Sequence, residues 1–109
     1  MAKQLQRVDT LFLHELDGEY LVAARRDGDR LFRARLSLKE TDAGPRPGRF
    51  RIREGSSEEP RQPDEFVDLA RAAGRIRISE QTSPENRERL KAMLDGYQLE
   101  ATAVRTCRR

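Results

Sequence analysis

Apolar and polar residues alternate through the first half of the chain, whereas two later stretches repeat their apolar residues every three or four positions. The period therefore changes from that of strands to that of helices. Residues 10–16, 19–25 and 30–39 are rich in Leu, Val and Phe and are separated by Asp17-Gly18 and Asp27-Gly28. Asp-Gly accepts the positive φ that a two-residue hairpin turn requires, so an antiparallel meander is expected. The stretch ETDAGPRPG, with two prolines and two glycines, reads as an exposed, mobile loop before a short fourth strand over residues 49–53. EGSSEEPRQP is acidic, polar and proline-bearing, and reads as the joint to a helical half.

In residues 64–73, Phe66, Leu69, Ala70 and Ala73 fall at helical spacing, with Pro63 ahead and Gly74 behind. Arg75-Ile76-Arg77-Ile78-Ser79 alternates and reads as a strand. Thr82 or Ser83 can cap a second helix, Pro84 suits its first turn, and Leu90, Met93, Leu94 and Tyr97 form its apolar stripe up to about Gly96. Residues 99–106 alternate again as a last strand. The expected fold class is α+β: an antiparallel half of four strands, then helix, strand, helix, strand, with the helices packed on one sheet face. A length of 109 residues suits one domain, residues 1–109, which could be the N-terminal domain of a longer protein.

Charged residues make up 38% of the chain against 36% hydrophobic, so a small core and a heavily ionised surface are expected. Of the 22 basic residues 19 are arginine, and this bias says more than the net charge of +3. Arginine offers a planar, permanently charged fork that grips phosphate or carboxylate, and it also builds surface ion-pair networks. Both uses stay open. A single cysteine excludes an internal disulfide, no apolar run reaches the roughly 18 residues of a membrane span, and the polar start MAKQLQRVD lacks signal-peptide character. A cytoplasmic protein without a membrane partner is expected.

Strand phase sorts the charges. Phe32, Ala34, Leu36 and Leu38 share one face of their strand, and Arg33, Arg35, Ser37 and Lys39 the other. Arg49, Arg51 and Arg53 alternate with Phe50 and Ile52, as Arg75 and Arg77 do with Ile76 and Ile78. Residues 25–53 hold ten basic and four acidic residues (net +6), and residues 54–70 one basic and six acidic (net −5). If these strands are neighbours, Arg33, Arg35, Arg49, Arg51, Arg53, Arg75 and Arg77 form a patch suited to the phosphates of RNA or another nucleic acid. The alternative is a solvated sheet face on which the arginines pair with Glu54, Glu58, Glu59, Asp64 and Glu65. The four Phe and two Tyr fall mostly at core-phase positions, which favours backbone reading or protein docking over base readout. A protein partner or homodimer would use an exposed strand edge, residues 10–16 or 99–106.

Chemistry has little to build on. His14 stands alone, with Glu15 on the opposite strand face, and the chain has no phosphate-binding glycine loop, nucleophile elbow or paired metal-ligand spacing. Glu85 and Arg89, four apart, read as a helix-surface pair. No catalysis by these residues alone, no cofactor and no metal are expected. Cys107, flanked by Thr106 and Arg108, would matter to zinc only if a longer chain supplied the second cysteine of a knuckle.

The last third, RIRISEQTSPENRERLKAMLDGYQLEATAVRTCRR, resembles the N-terminal extension of archaeal Ski-type RNA helicases. The resemblance implies a small α+β accessory domain preceding a cysteine-rich ribbon and an ATP-dependent core. It also implies that the domain helps hold RNA or a nuclease partner, with Arg75, Arg77 and Arg105 near the helicase-proximal end.

Overall fold

The computed structural model describes residues 8–104. In chain order the elements are β1 (Thr10–Leu16), β2 (Glu19–Arg26), β3 (Asp29–Thr41), β4 (Gly44–Glu54), β5 (Ser57–Arg61), α1 (Pro63–Ala72), β6 (Arg75–Ser79), α2 (Pro84–Asp95) and β7 (Thr102–Val104). The strands form one sheet in the order β5-β4-β3-β2-β1-β6-β7. Strands β1 to β5 are an antiparallel meander; β6 runs parallel to β1, and β7 parallel to β6. Both Asp-Gly turns form as expected: Asp17 and Asp27 adopt φ of 53° and 55°, followed by Gly18 and Gly28 at 80° and 86°.

The architecture is α+β, and one core joins both helices to one sheet face. Leu11 and Leu13, Tyr20, Val22 and Ala24, Ala34 and Leu36, Phe50 and Ile52, and Ile76 and Ile78 alternate inward from five strands. Phe66, Leu69 and Ala70 of α1 and Leu90, Met93 and Leu94 of α2 complete the same cluster. Phe50 and Phe66 meet edge to face, with centroids 5.7 Å apart and planes at 73°, a favoured aromatic geometry.

Several strand boundaries differ from the sequence expectation. The meander has five strands, not four, because residues 57–61 of the expected joint pair with β4 as β5. The expected loop after Lys39 is instead the end of the β3–β4 hairpin: Lys39 lies opposite Arg46, Glu40 opposite Pro45 and Thr41 opposite Gly44. The Thr41 hydroxyl holds this turn by donating to the Gly44 carbonyl at 2.8 Å and accepting the Ala43 N–H at 3.1 Å. Proline is tolerated because β5 ends opposite Phe50, leaving the start of β4 at the sheet edge. Between Leu36 and Leu38 the register slips, and the Ser37 hydroxyl accepts the Arg49 N–H at 2.9 Å, as in a bulge. Residues 10–16, expected as an available edge, lie between β2 and β6; in the described sheet the edges are β5 and β7. Arg105 and Cys107 fall outside the described residues.

Ser83 caps α2, its side chain accepting the Asn86 N–H at 3.3 Å. Glu15, from the core-facing phase of β1, extends that cap: its carboxylate accepts the Ser83 N–H at 3.0 Å and the Asn86 side-chain amide at 2.6 Å. The Ser83 N–H, with help from Asn86, holds the carboxyl below its usual value of 4.5. A depressed carboxyl pKa contributes stability that is complete above the unfolded value and lost as pH falls through the folded one. Glu15→Gln should therefore flatten the fall in melting temperature below about pH 4.5, while leaving the native protein the more stable of the two at pH 7. Parallel melting curves at both pH values would show that this cap contributes nothing.

Candidate nucleic-acid interface

The sheet face turned away from the helices carries the predicted arginines, and register fixes their order. One rung runs Arg77 (β6), Phe12 (β1), Ala23 (β2), Arg33 (β3), Arg53 (β4) and Glu58 (β5). The next runs His14, Leu21, Arg35, Arg51 and Pro60. At the other side of the first rung, Arg75, Thr10 and Arg25 face one another across β6, β1 and β2, and Arg30 pairs with Arg25 across a bulge. Adjacent strands lie roughly 4.8 Å apart, so Arg77 and Arg33 stand about 14 Å apart at the backbone, on either side of Phe12 and Ala23.

Two of the seven predicted arginines are neutralised within the fold. Glu19, on β2, receives Arg51 at 2.6 Å and Arg35 at 3.5 Å, and Glu58 lies 3.5 Å from Arg51 and 3.9 Å from Arg35. The sequence points to Glu58 in such a role but gives no hint of Glu19. The other expected carboxylates Glu59 and Glu65 pair with Arg61 instead, at 3.7 and 2.7 Å. Arg33, Arg49, Arg53, Arg75 and Arg77 make no ion pair among the described residues. Arg33 and Arg53 are direct cross-strand partners, an arrangement of like charges that weakens a sheet. A fold that keeps it leaves two cations aimed at the same solvent volume.

Other basic residues serve elsewhere. The Arg46 guanidinium lies over the Tyr97 ring, 5.4 Å from its centroid, and donates to the Pro45 carbonyl at 2.8 Å. Arg89 bonds Glu40 at 2.6 and 3.0 Å, so the expected Glu85–Arg89 helix pair gives way to a contact between α2 and β3.

The expectation that aromatic residues sit mostly in the core holds for Tyr20, Phe50 and Phe66, and Phe32 and Tyr97 pack against it. Phe12 departs from it. In the unbroken apolar run LFL, Leu11 and Leu13 point inward, so the residue between them must point to the arginine face. Phe12, Arg25 and Arg77 line a cleft of about 290 Å³ together with Asp9, Thr10, Asp27 and Gly28. Phe12 and Arg25 are additions to the predicted site, although the alternation of LFLHEL carries the signal for Phe12. The Arg77 Nε is buried and has no hydrogen-bond partner among the described residues. His14 lies on this face opposite Leu21, while Glu15 is committed to the α2 cap. Among the described residues no three His, Cys, Asp or Glu side chains gather into a metal site, and no helix is long and apolar enough to cross a membrane.

No protein-family model, curated protein or solved structure matches the chain.

Proposed function

We propose that this domain is a nucleic-acid-binding accessory module that lays the sugar-phosphate backbone across the arginine face of its sheet. The observation that carries the reading is the set of five arginines on one face that make no ion pair among the described residues, including the Arg33–Arg53 pair held like charge to like charge. Bound phosphates would offset the Arg33–Arg53 repulsion, which Glu58 opposite Arg53 offsets from one side only. RNA is the preferred partner on the resemblance of residues 75–109 to helicase N-terminal extensions; guanidinium chemistry itself accepts RNA and DNA phosphates alike. In this reading the domain positions nucleic acid, and any catalysis belongs to an ATP-dependent core elsewhere in a longer chain.

The test is fluorescence anisotropy of a labelled single-stranded RNA at several salt concentrations. Three to five phosphate contacts predict a slope of log K against log salt between roughly −2 and −3.5, at about −0.7 per contact on single strands. A flat salt response, or no binding at low salt, overturns the assignment.

A second reading, docking to a protein or to a second copy, draws on Leu16, which is 43% exposed beside this face. The β5 edge offers such a partner little, since Glu58, Glu59 and Pro60 occupy it. A doubled mass that persists in moderate salt, without RNA affinity, would favour this reading.

A further inference from the structure

The cleft at the Arg77 end of the face is built for more than a phosphate. Its floor holds Phe12, the one aromatic ring that the described residues place on the arginine side of the sheet. On the same rung Arg77 stands to one side of the ring and Ala23 to the other, and the short alanine side chain leaves that flank low before Arg33 rises beyond it. The cleft also contains Asp9 and Asp27. The Asp9 carboxylate is committed to accepting the Asp27 N–H at 2.7 Å, which ties the β2–β3 turn to the start of β1. Two carboxylates disfavour a bare anion here. Stacking of an uncharged planar ring on Phe12 gives a nucleotide an attraction that a bare anion lacks, while Arg25 and Arg77 offset the carboxylates beside its phosphate.

We propose that this cleft is a subsite for one unpaired nucleotide, with the base stacked on Phe12 and its phosphate held by Arg77, so that the domain selects single-stranded over duplex nucleic acid. The proposal rests on the nucleic-acid reading above and adds to it a place for a base. Two observations and one steric argument support it. Arg77 lines the cleft beside Phe12 and makes no ion pair among the described residues, so its guanidinium is available to a phosphate. The volume of about 290 Å³ lies at the small end of ligand pockets, which suits a single base. A duplex keeps its base faces stacked inside and presents phosphate and sugar outside, so a ring lying on the floor between arginines can reach a base only when that base is unpaired.

The experiment compares four ligands of equal length, namely single-stranded RNA, single-stranded DNA, duplex RNA and an abasic strand, against the wild-type domain, Phe12→Ala and Phe12→Leu. Melting temperatures of all three proteins establish that they are folded at the assay temperature. Stacking predicts that the wild type prefers the base-bearing single strands, and that Phe12→Ala loses roughly 5- to 100-fold on them and little on the abasic strand. Phe12→Leu, which restores apolar bulk without a π-face, should fail to recover the loss. Because the chain contains no tryptophan, Phe12→Trp adds a single indole emitter whose fluorescence should be quenched by single strands and not by the abasic strand. Equal wild-type affinity for base-bearing and abasic strands, or indole emission from Phe12→Trp that stays unquenched with RNA bound, overturns the subsite while leaving the phosphate-binding face intact. Failure of every ligand to bind at low salt overturns both.

Discussion

Arg33→Glu should weaken RNA binding on the order of 10- to 100-fold at low salt while leaving the fold as stable or slightly more so. Arg33 and Arg53 are direct cross-strand partners without a carboxylate between them. A glutamate at 33 converts that repulsion into an opposite-charge pair, a change of about 0.2–1 kcal/mol in favour of the sheet. The same substitution removes one cation from the face and occupies a second, so two phosphate contacts disappear and the salt slope should shrink by about 1.4. Opposite signs in stability and affinity are the diagnostic. If the arginines only solvate the sheet, thermal denaturation will show the stability change and anisotropy will show no difference. Arg51 is a poorer choice for the experiment, because its guanidinium is 2.6 Å from Glu19 and 3.5 Å from Glu58 and its loss would disturb fold and face together.

The largest expected loss of stability follows Phe66→Ala. Phe66 is fully buried and meets Phe50 of β4 edge to face. Truncating such a ring costs about 3–5 kcal/mol, a large share of the roughly 5–15 kcal/mol that holds typical domains folded. Position adds weight, since α1 carries the chain from β5 at one edge back across the sheet to β6 beside β1. Chemical denaturation should show the midpoint displaced by this amount. A loss under about 1 kcal/mol would mean that α1 is anchored by other contacts. Because the ring and the arginines lie on opposite sheet faces, the affinity of the remaining folded molecules should be unchanged.

Much of this fold is legible in the sequence because its signals are local. The Asp-Gly turns, the alternation of Arg and apolar residues in β3, β4 and β6, and the Ser83-Pro84 start of α2 each follow from stereochemistry within a few residues. The fifth strand is hidden because SEEPR lies at an edge and has no apolar alternation to display. Pro45 and Pro47 argue for a loop, yet they sit where β4 itself lies at the sheet edge and where missing N–H groups cost little. Strand order is beyond reach, since the α1 crossover that sets β6 beside β1, not any property of residues 10–16, makes β1 an interior strand. The site divides in the same way. Strand phase gives the common face of the arginines, but which of them are neutralised depends on Glu19 reaching across from a neighbouring strand, and the importance of Phe12 emerges only once Arg77 is known to stand beside it.

The position of β6 also has a consequence for the order of events as the chain is made. The meander closes through hairpins between neighbours, whereas Thr10 must find Arg75, 65 residues along the chain, and such distant pairing has the larger loop-closure entropy to overcome. The Arg33–Arg53 flank can therefore assemble while the chain beyond β5 is still being synthesised. The Phe12–Arg77 cleft cannot. On the proposal made above, a nascent domain would attract polyanions of any kind before it could tell a strand from a duplex, and discrimination would arrive with the last third of the sequence.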